Sequence, residues 1–245
     1  MSLTDQAILR IREMIGSGRL PPGAKLPPEQ QLATALGLSR NLTREAVRAL
    51  VAVRVLEIRR GDGTYVTSLE PAVLLDGIAD AVELLRGDTV LELLEVRRLF
   101  EPPATALAAT RITAAQLADV AGHLAAMRAH IDDPEQLNRH DADFHSAIVA
   151  ATGNATLTTL LDGIAGRTLG ARIWRGLVDT RASHHTVEEH QLIHDALTAH
   201  NPALAHAASL VHVSTTEQWL RTHLDPAAAP GARPPATRTD LQDSP

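Results

Sequence analysis

Twelve histidines and no cysteine define the site chemistry open to this 245-residue chain. Without thiols, disulfides and thiolate catalysis are excluded, and imidazole with carboxylate becomes the set to examine. All twelve histidines lie between His123 and His223, and several stand where a helix should be apolar. Over 134–151 the stripe at helical spacing is Leu137, Asp141, Phe144, His145 and Ile148, so Asp141 and His145 are one turn apart on an inward face. Over 186–200 the stripe is Val187, His190, Ile193, His194 and Leu197; over 202–223 it is Leu204, Ala208, Val211, His212, Thr215 and Trp219. A buried carboxylate is costly unless it is paired, hydrogen-bonded or bound to a metal. Several inward histidines beside one inward aspartate meet that need if they share a divalent ion. The plainer reading makes each histidine a hydrogen-bonded core residue and Asp141–His145 an intrahelical pair, and spacing alone leaves the two level.

A second chemistry sits near the other end. From Arg40 to Val53, Leu42, Ala46, Leu50 and Val53 share one helical face, and Arg40, Arg44 and Arg48 form an i, i+4, i+8 row on the opposite one. Ser39 is placed to cap this helix. Guanidinium forks suit guanine edges and phosphates, although a solvated basic face would read the same way. Upstream, residues 29–36 form a short helix stopped by Gly37, and downstream the runs 55–60 and 64–66 flank Gly61-Asp62-Gly63, a hairpin signal. These elements predict a helix-turn-helix with a β-hairpin wing whose tip carries Arg59 and Arg60.

The scaffold divides the same way. Residues 4–17 carry Ala7, Ile8, Ile11 and Ile15 as the stripe of a first helix, and residues 18–28 form a loop rich in proline and glycine. Residues 68–70 read as a linker. Helices are expected over 71–86, 89–100, 102–110, 114–132, 134–151, 155–171, 186–200 and 202–223, with Pro102-Pro103 breaking or kinking the chain. The fold class is thus mostly α: a winged helix-turn-helix over 1–67, an all-α antiparallel bundle over 71–225, and a Pro/Ala-rich disordered tail over 226–245. Residues 1–66 hold ten Arg/Lys against six Asp/Glu, a net of +4, and the remainder carries −10. A basic head on an acidic body suits a DNA reader. Charges interrupt the N-terminal apolar residues and no segment approaches a membrane span, so a cytoplasmic chain is expected.

The run from Ile15 to Glu29, followed by Leu32-Ala33, Ser39-Arg40, Arg44-Glu45-Ala46 and Gly61-Asp62-Gly63-Thr64-Tyr65-Val66, resembles the DNA-binding domain of GntR-type bacterial transcription regulators across nearly all of residues 4–67. The resemblance implies a homodimer on (pseudo)palindromic double-stranded operator DNA, with the helix from Arg40 in the major groove and the wing near the minor groove. The residues it points to are Ser39, Arg40, Asn41, Arg44, Arg48 and Gln30, with Arg59, Arg60, Gly61 and Gly63 from the wing. Two positions depart from the family pattern: Gln30 stands where arginine is usual, and Arg54 where glycine usually ends the recognition helix.

The second domain resembles the FCD effector domain of the FadR subfamily through Glu95–Pro102 with Ala108-Ala109, Asp141–His145 with Gly153-Asn154, and Glu189–Ile193 with His212. Metal-binding members use one aspartate and three histidines, which carry over to Asp141, His145, His190 and His212, with His194 a close competitor for His190. The other eight histidines read as surface or packing residues. The resemblance implies a divalent ion, zinc first, with nickel, manganese or iron compatible. It also implies a small carboxylate effector held through Arg97 and Asn154, although a salt bridge to Glu95 or Glu101 and a helix N-cap are the respective alternatives. The expected function is a ligand-responsive transcription regulator, a repressor relieved by its ligand. The competing readings are a metal-dependent hydrolase or oxygenase, since an ion with an open position activates water, and a regulator whose metal is purely structural. A hydrolase would want a general base beside the ligands and has no use for the basic head.

Overall fold

The computed structural model describes residues 2–71, 73–74 and 89–224. The chain divides into two compact units, Met1–Leu84 and Leu85–Pro245. Most of the helix expected over 71–86, and the tail over 226–245, lie outside the described residues.

The first unit begins with α1 (Leu3–Gly16), opened by a reciprocal pair of bonds between Ser2 and Asp5. Helix α2 (Glu29–Leu36) ends at Gly37, whose φ of 63° is the left-handed turn that glycine adopts without strain. Helix α3 (Arg40–Ala52) starts at Ser39, whose hydroxyl accepts a bond from the Leu42 N–H. Strands β1 (Leu56–Arg59) and β2 (Gly63–Val66) pair antiparallel, Leu56 opposite Val66 and Arg59 opposite Gly63. Ala7, Ile11, Leu32, Leu36, Ala46, Leu50, Leu56 and Val66 close the core beneath them.

The buried face of α3 is Thr43, Ala46 and Leu50, whereas Val53 is 57% exposed. Thr43 reaches the core because its hydroxyl is satisfied by the Ser39 carbonyl at 3.0 Å, and Val53 turns outward because it lies past the last helical turn. Arg54 follows at φ 58°, so the chain keeps the left-handed exit usual for glycine while carrying a side chain there.

The second unit is a helical bundle of α4 (Thr89–Ala109), α5 (Ala114–Ala129), α6 (Pro134–Ala150), α7 (Ala155–Val178), α8 (Ala182–Thr198) and α9 (Pro202–Leu224). Phe144, Ile148, Ile193, Leu197, Val120, Leu124 and Met127 lie in its core. No described helix is long and apolar enough to cross a membrane.

Three expectations change here. Residues 89–109 form one helix where two were expected over 89–100 and 102–110, with Pro102 and Pro103 inside it. The donors lost at the prolines are offset by burial of Leu94, Ala104 and Ala108 and by the Arg97–Glu101 ion pair, which spans the same turn. Helix α7 continues past 171 to Val178, because Gly176 serves a close approach to the Pro134 side chain instead of a stop. Finally, α9 turns Ala205, Ser209, His212, Val213, Thr216 and Leu220 inward and leaves Leu204 and Val211 more than half exposed. Alanine and apolar residues surround this helix, so periodicity could not choose its face. Its inward polar groups are satisfied instead by partners: Ser209 by Thr105, Thr216 by Arg175 and Glu217 by Arg98.

Candidate metal centre and nucleic-acid interface

Asp141 and His145 from α6, His190 from α8 and His212 from α9 meet at the centre of the bundle, all buried. Each offers a ligand atom within 4.8 Å of the others. Three imidazole Nε2 atoms converge on Asp141 Oδ1, at 3.0 Å from His190, 3.9 Å from His145 and 4.0 Å from His212, and those of His145 and His212 are 3.2 Å apart. Atoms bound at ~2.1 Å to one tetrahedral ion stand ~3.4 Å from one another, so these separations bracket what an ion requires.

The far side of each ring decides the protonation. His190 Nδ1 donates to the Thr186 carbonyl at 2.6 Å, His212 Nδ1 donates to Glu189 Oε2 at 2.9 Å, and His145 Nδ1 faces Glu101 Oε2 at 3.5 Å. With Nδ1–H committed outward on His190 and His212, their Nε2 atoms present lone pairs to the centre. Burial keeps the rings neutral, pushing His190 and His212 down to about 4 and His145 well below the usual histidine range. Neutral imidazole is the form that binds a metal. A His190 Nε2 lone pair 3.0 Å from a carboxylate oxygen, with no hydrogen-bond partner, is repelled unless a cation lies between them.

Arginines surround this centre. Arg172 of α7 meets Asp141 Oδ2 through Nη1 and donates through Nη2 to the Ala165 carbonyl at 3.0 Å. Asp141 thus presents one oxygen to the imidazoles and the other to a guanidinium. Arg97 closes its fork on Glu101 at 2.5 and 3.3 Å and donates to Thr168. Burial pushes the Glu101 carboxyl up, but the Arg97 guanidinium outweighs it and holds it at about 2. Beside Asp141 a polar cavity of ≈ 10 Å³, room for about one water, is lined by Asp141, Arg172, Arg175, Ser183, Thr186, His212 and Thr216 among others. Arg172 Nε and Arg175 Nε are shielded from solvent there and have no acceptor.

On the first unit, Gln30, Ser39, Arg40, Asn41, Arg44 and Arg48 are exposed on α2, on α3 and at its cap, with Arg59, Arg60 and Gly61 exposed on the wing. Arg44 pairs with Glu29 at 2.8 Å, and Arg59 with Glu57 at 2.6 Å while lying over the Tyr65 ring. Lys25 and the Tyr65 hydroxyl both reach Asp62, at 2.6 Å each, which fixes the hairpin tip. A cleft of ≈ 590 Å³ lined by Lys25, Glu29, Arg44, Arg48, Ile58 and Thr64, among others, runs between α3 and the wing.

Residues 3–66 match the bacterial regulatory proteins of the gntR family, and residues 92–215 match the FCD domain. The galactonate operon transcriptional repressor of Escherichia coli strain K12 is 31% identical over 204 residues, covering 80% of this chain and 87% of that protein. The chain belongs to the GntR family. The HTH-type transcriptional regulator LutR of Bacillus subtilis strain 168 is 34% identical over 190 residues, 75% of this chain and 85% of its own. Among solved structures, a GntR protein of Streptococcus agalactiae superposes with a TM-score of 0.68 at 30% identity, covering 88% of this chain and 99% of that one. This GntR-family chain is therefore a DNA-binding transcription regulator with an FCD domain, and not an enzyme.

Within the GntR-family fold, the residues read from sequence fall unevenly. Asp141, His145, His190 and His212 come together, while His194 lies apart, partly exposed and 3.7 Å from Asp195. Arg97 and Asn154 do not line the cavity beside Asp141. Arg97 is taken by Glu101, the alternative its i, i+4 spacing allowed, and Asn154 caps α7 by accepting from the Leu157 N–H at 3.1 Å. Arg172 and Arg175, which no periodicity singles out, line that cavity instead.

Proposed function

We propose that the regulator holds a divalent ion, zinc first, on Asp141, His145, His190 and His212, and responds to a small carboxylate that binds at this centre. The observation that carries the reading is the convergence of three buried imidazole Nε2 atoms on Asp141 Oδ1, with their opposite nitrogens turned outward to Thr186, Glu189 and Glu101. A bound ion supplies a Lewis-acidic contact for an effector carboxylate. This chain's own contribution is the pair of acceptor-free Nε–H groups on Arg172 and Arg175, residues that line the cavity; with room there for about one water, the bundle must open for a carboxylate to reach them. Arg97 acts here as the partner that keeps Glu101 ionised against His145, rather than as the effector's cation.

The effector shifts the helical unit between two packings and changes operator affinity only to the extent that it binds one packing better. Repression relieved by ligand is the direction, supported by the repressor among the relatives. The reading head spans 1–67 and the effector domain 71–225, and two copies bind a (pseudo)palindromic operator through Ser39, Arg40, Asn41, Arg44, Arg48 and Gln30, with Arg59, Arg60, Gly61 and Gly63 at the wing.

The test is metal content after dialysis against a competing chelator. Wild type should retain one tightly held zinc per chain, and Asp141→Ala and His190→Ala none. Equal retention in all three proteins would remove these residues from the centre.

A further inference from the structure

Where α5 packs against α6, a second group of histidines lies outside the buried centre. His123 comes from α5, and His140 and Asp143 from α6, with one ligand atom of each within 4.8 Å of the other two. Their side chains are 26%, 29% and 59% exposed, so the group sits at the surface and is open to solutes. His140 Nδ1 is 4.0 Å from Asp143 Oδ2, and His123 Nε2 is 3.9 Å from Asp119 Oδ1, a turn earlier on the same helix. His130 stacks on His140, its ring centroid 5.7 Å away and tilted by 18°, which restrains the His140 ring. The independent observation is His140 Nδ1 itself: it is shielded from solvent and has no hydrogen-bond partner. A shielded polar ring atom left without a partner is costly.

We propose that His123, His140 and Asp143 form a second, surface site for a divalent transition-metal ion of the kind imidazole favours, such as zinc, nickel or copper. Two imidazoles and one carboxylate are a three-ligand donor set that leaves room for water, and Asp119 supplies a further carboxylate. The ligand atoms must close by about 1 Å to share one ion. Surface side chains on two helices can make that adjustment by changing rotamer. The buried centre binds more tightly: it has four protein ligands, and outward partners already orient its imidazoles. An ion at the surface site ties α5 to α6, the helix that also carries Asp141 and His145.

The experiment is a calorimetric titration of zinc into tag-free, chelator-treated full chain, with wild type, His123→Gln/His140→Gln and His190→Ala in parallel and circular dichroism to check folding. Wild type should take up two equivalents, one tight and one weaker. The surface variant should lose only the weaker and His190→Ala only the tighter, so failure of one site is distinguishable from failure of the other. Asp143→Asn, at an exposed position that does not threaten folding, should also diminish the weaker equivalent. A wild type that takes up a single equivalent, or a surface variant whose two equivalents match those of wild type, would overturn the proposal.

Discussion

Asp141 answers two neighbours at once, with Oδ1 among the imidazoles and Oδ2 on Arg172. The atoms behind the ring nitrogens matter as much as the ligands. Glu189→Ala removes the acceptor that orients His212, and metal affinity in a competition assay should fall by about 10–100-fold with the helical content unchanged; unaltered affinity would make Glu189 a bystander. Glu101→Gln leaves the fully buried Arg97 without its counter-charge, and urea unfolding should show a loss of about 3–5 kcal/mol. At the DNA face, Arg44→Ala should weaken operator binding by about 1–3 kcal/mol as measured by anisotropy, whereas Glu29→Ala, which releases Arg44 from its ion pair, should not weaken it. That Asp141, His145, His190 and His212 meet was legible through the family resemblance; the apolar stripes alone also offered His194 and left a metal centre and a set of core histidines level. Arg172 was not: nothing near it in sequence announces an aspartate on another helix as its partner. Arg97 could be read two ways, since the Glu101 that occupies it lies one turn along the same helix.

Among the elements, the turn from α3 into the wing carries backbone strain. Arg54 holds φ 58° while its carbonyl accepts from the Thr67 hydroxyl at 2.8 Å, a bond that does not need the side chain. Arg54→Gly should therefore raise stability, by up to about 1 kcal/mol in denaturant unfolding; a loss would mean that the arginine side chain contributes more than the backbone strain costs. The departure at 54 was visible in sequence, but only the backbone shows that the chain kept the left-handed turn instead of reshaping it. Helix starts marked by Ser39 and Asn154 were legible because capping is local chemistry. The continuity of α4 through Pro102-Pro103 and the inward face of α9 were not. The first rests on burial of α4 and the Arg97–Glu101 pair within it, the second on Thr105, Arg98 and Arg175 around Ser209, Glu217 and Thr216.

For the whole molecule, charge separates the two tasks: +4 on residues 1–66 and −10 on the remainder place the attraction for DNA on the reading head. With a modest positive charge, operator affinity should fall with salt less steeply than for a highly basic DNA-binding protein. The chain joins a gntR-type DNA-reading unit to an FCD domain, and in the function proposed above an ion on the buried histidines links the two. The most direct test is fluorescence anisotropy on DNA from upstream of the regulator's own gene, with a panel of small organic acids titrated into metal-loaded protein, chelated protein and His190→Ala. At least one acid should release the metal-loaded protein from DNA and leave the other two bound. Release of all three at the same acid concentration would contradict a metal-centred response.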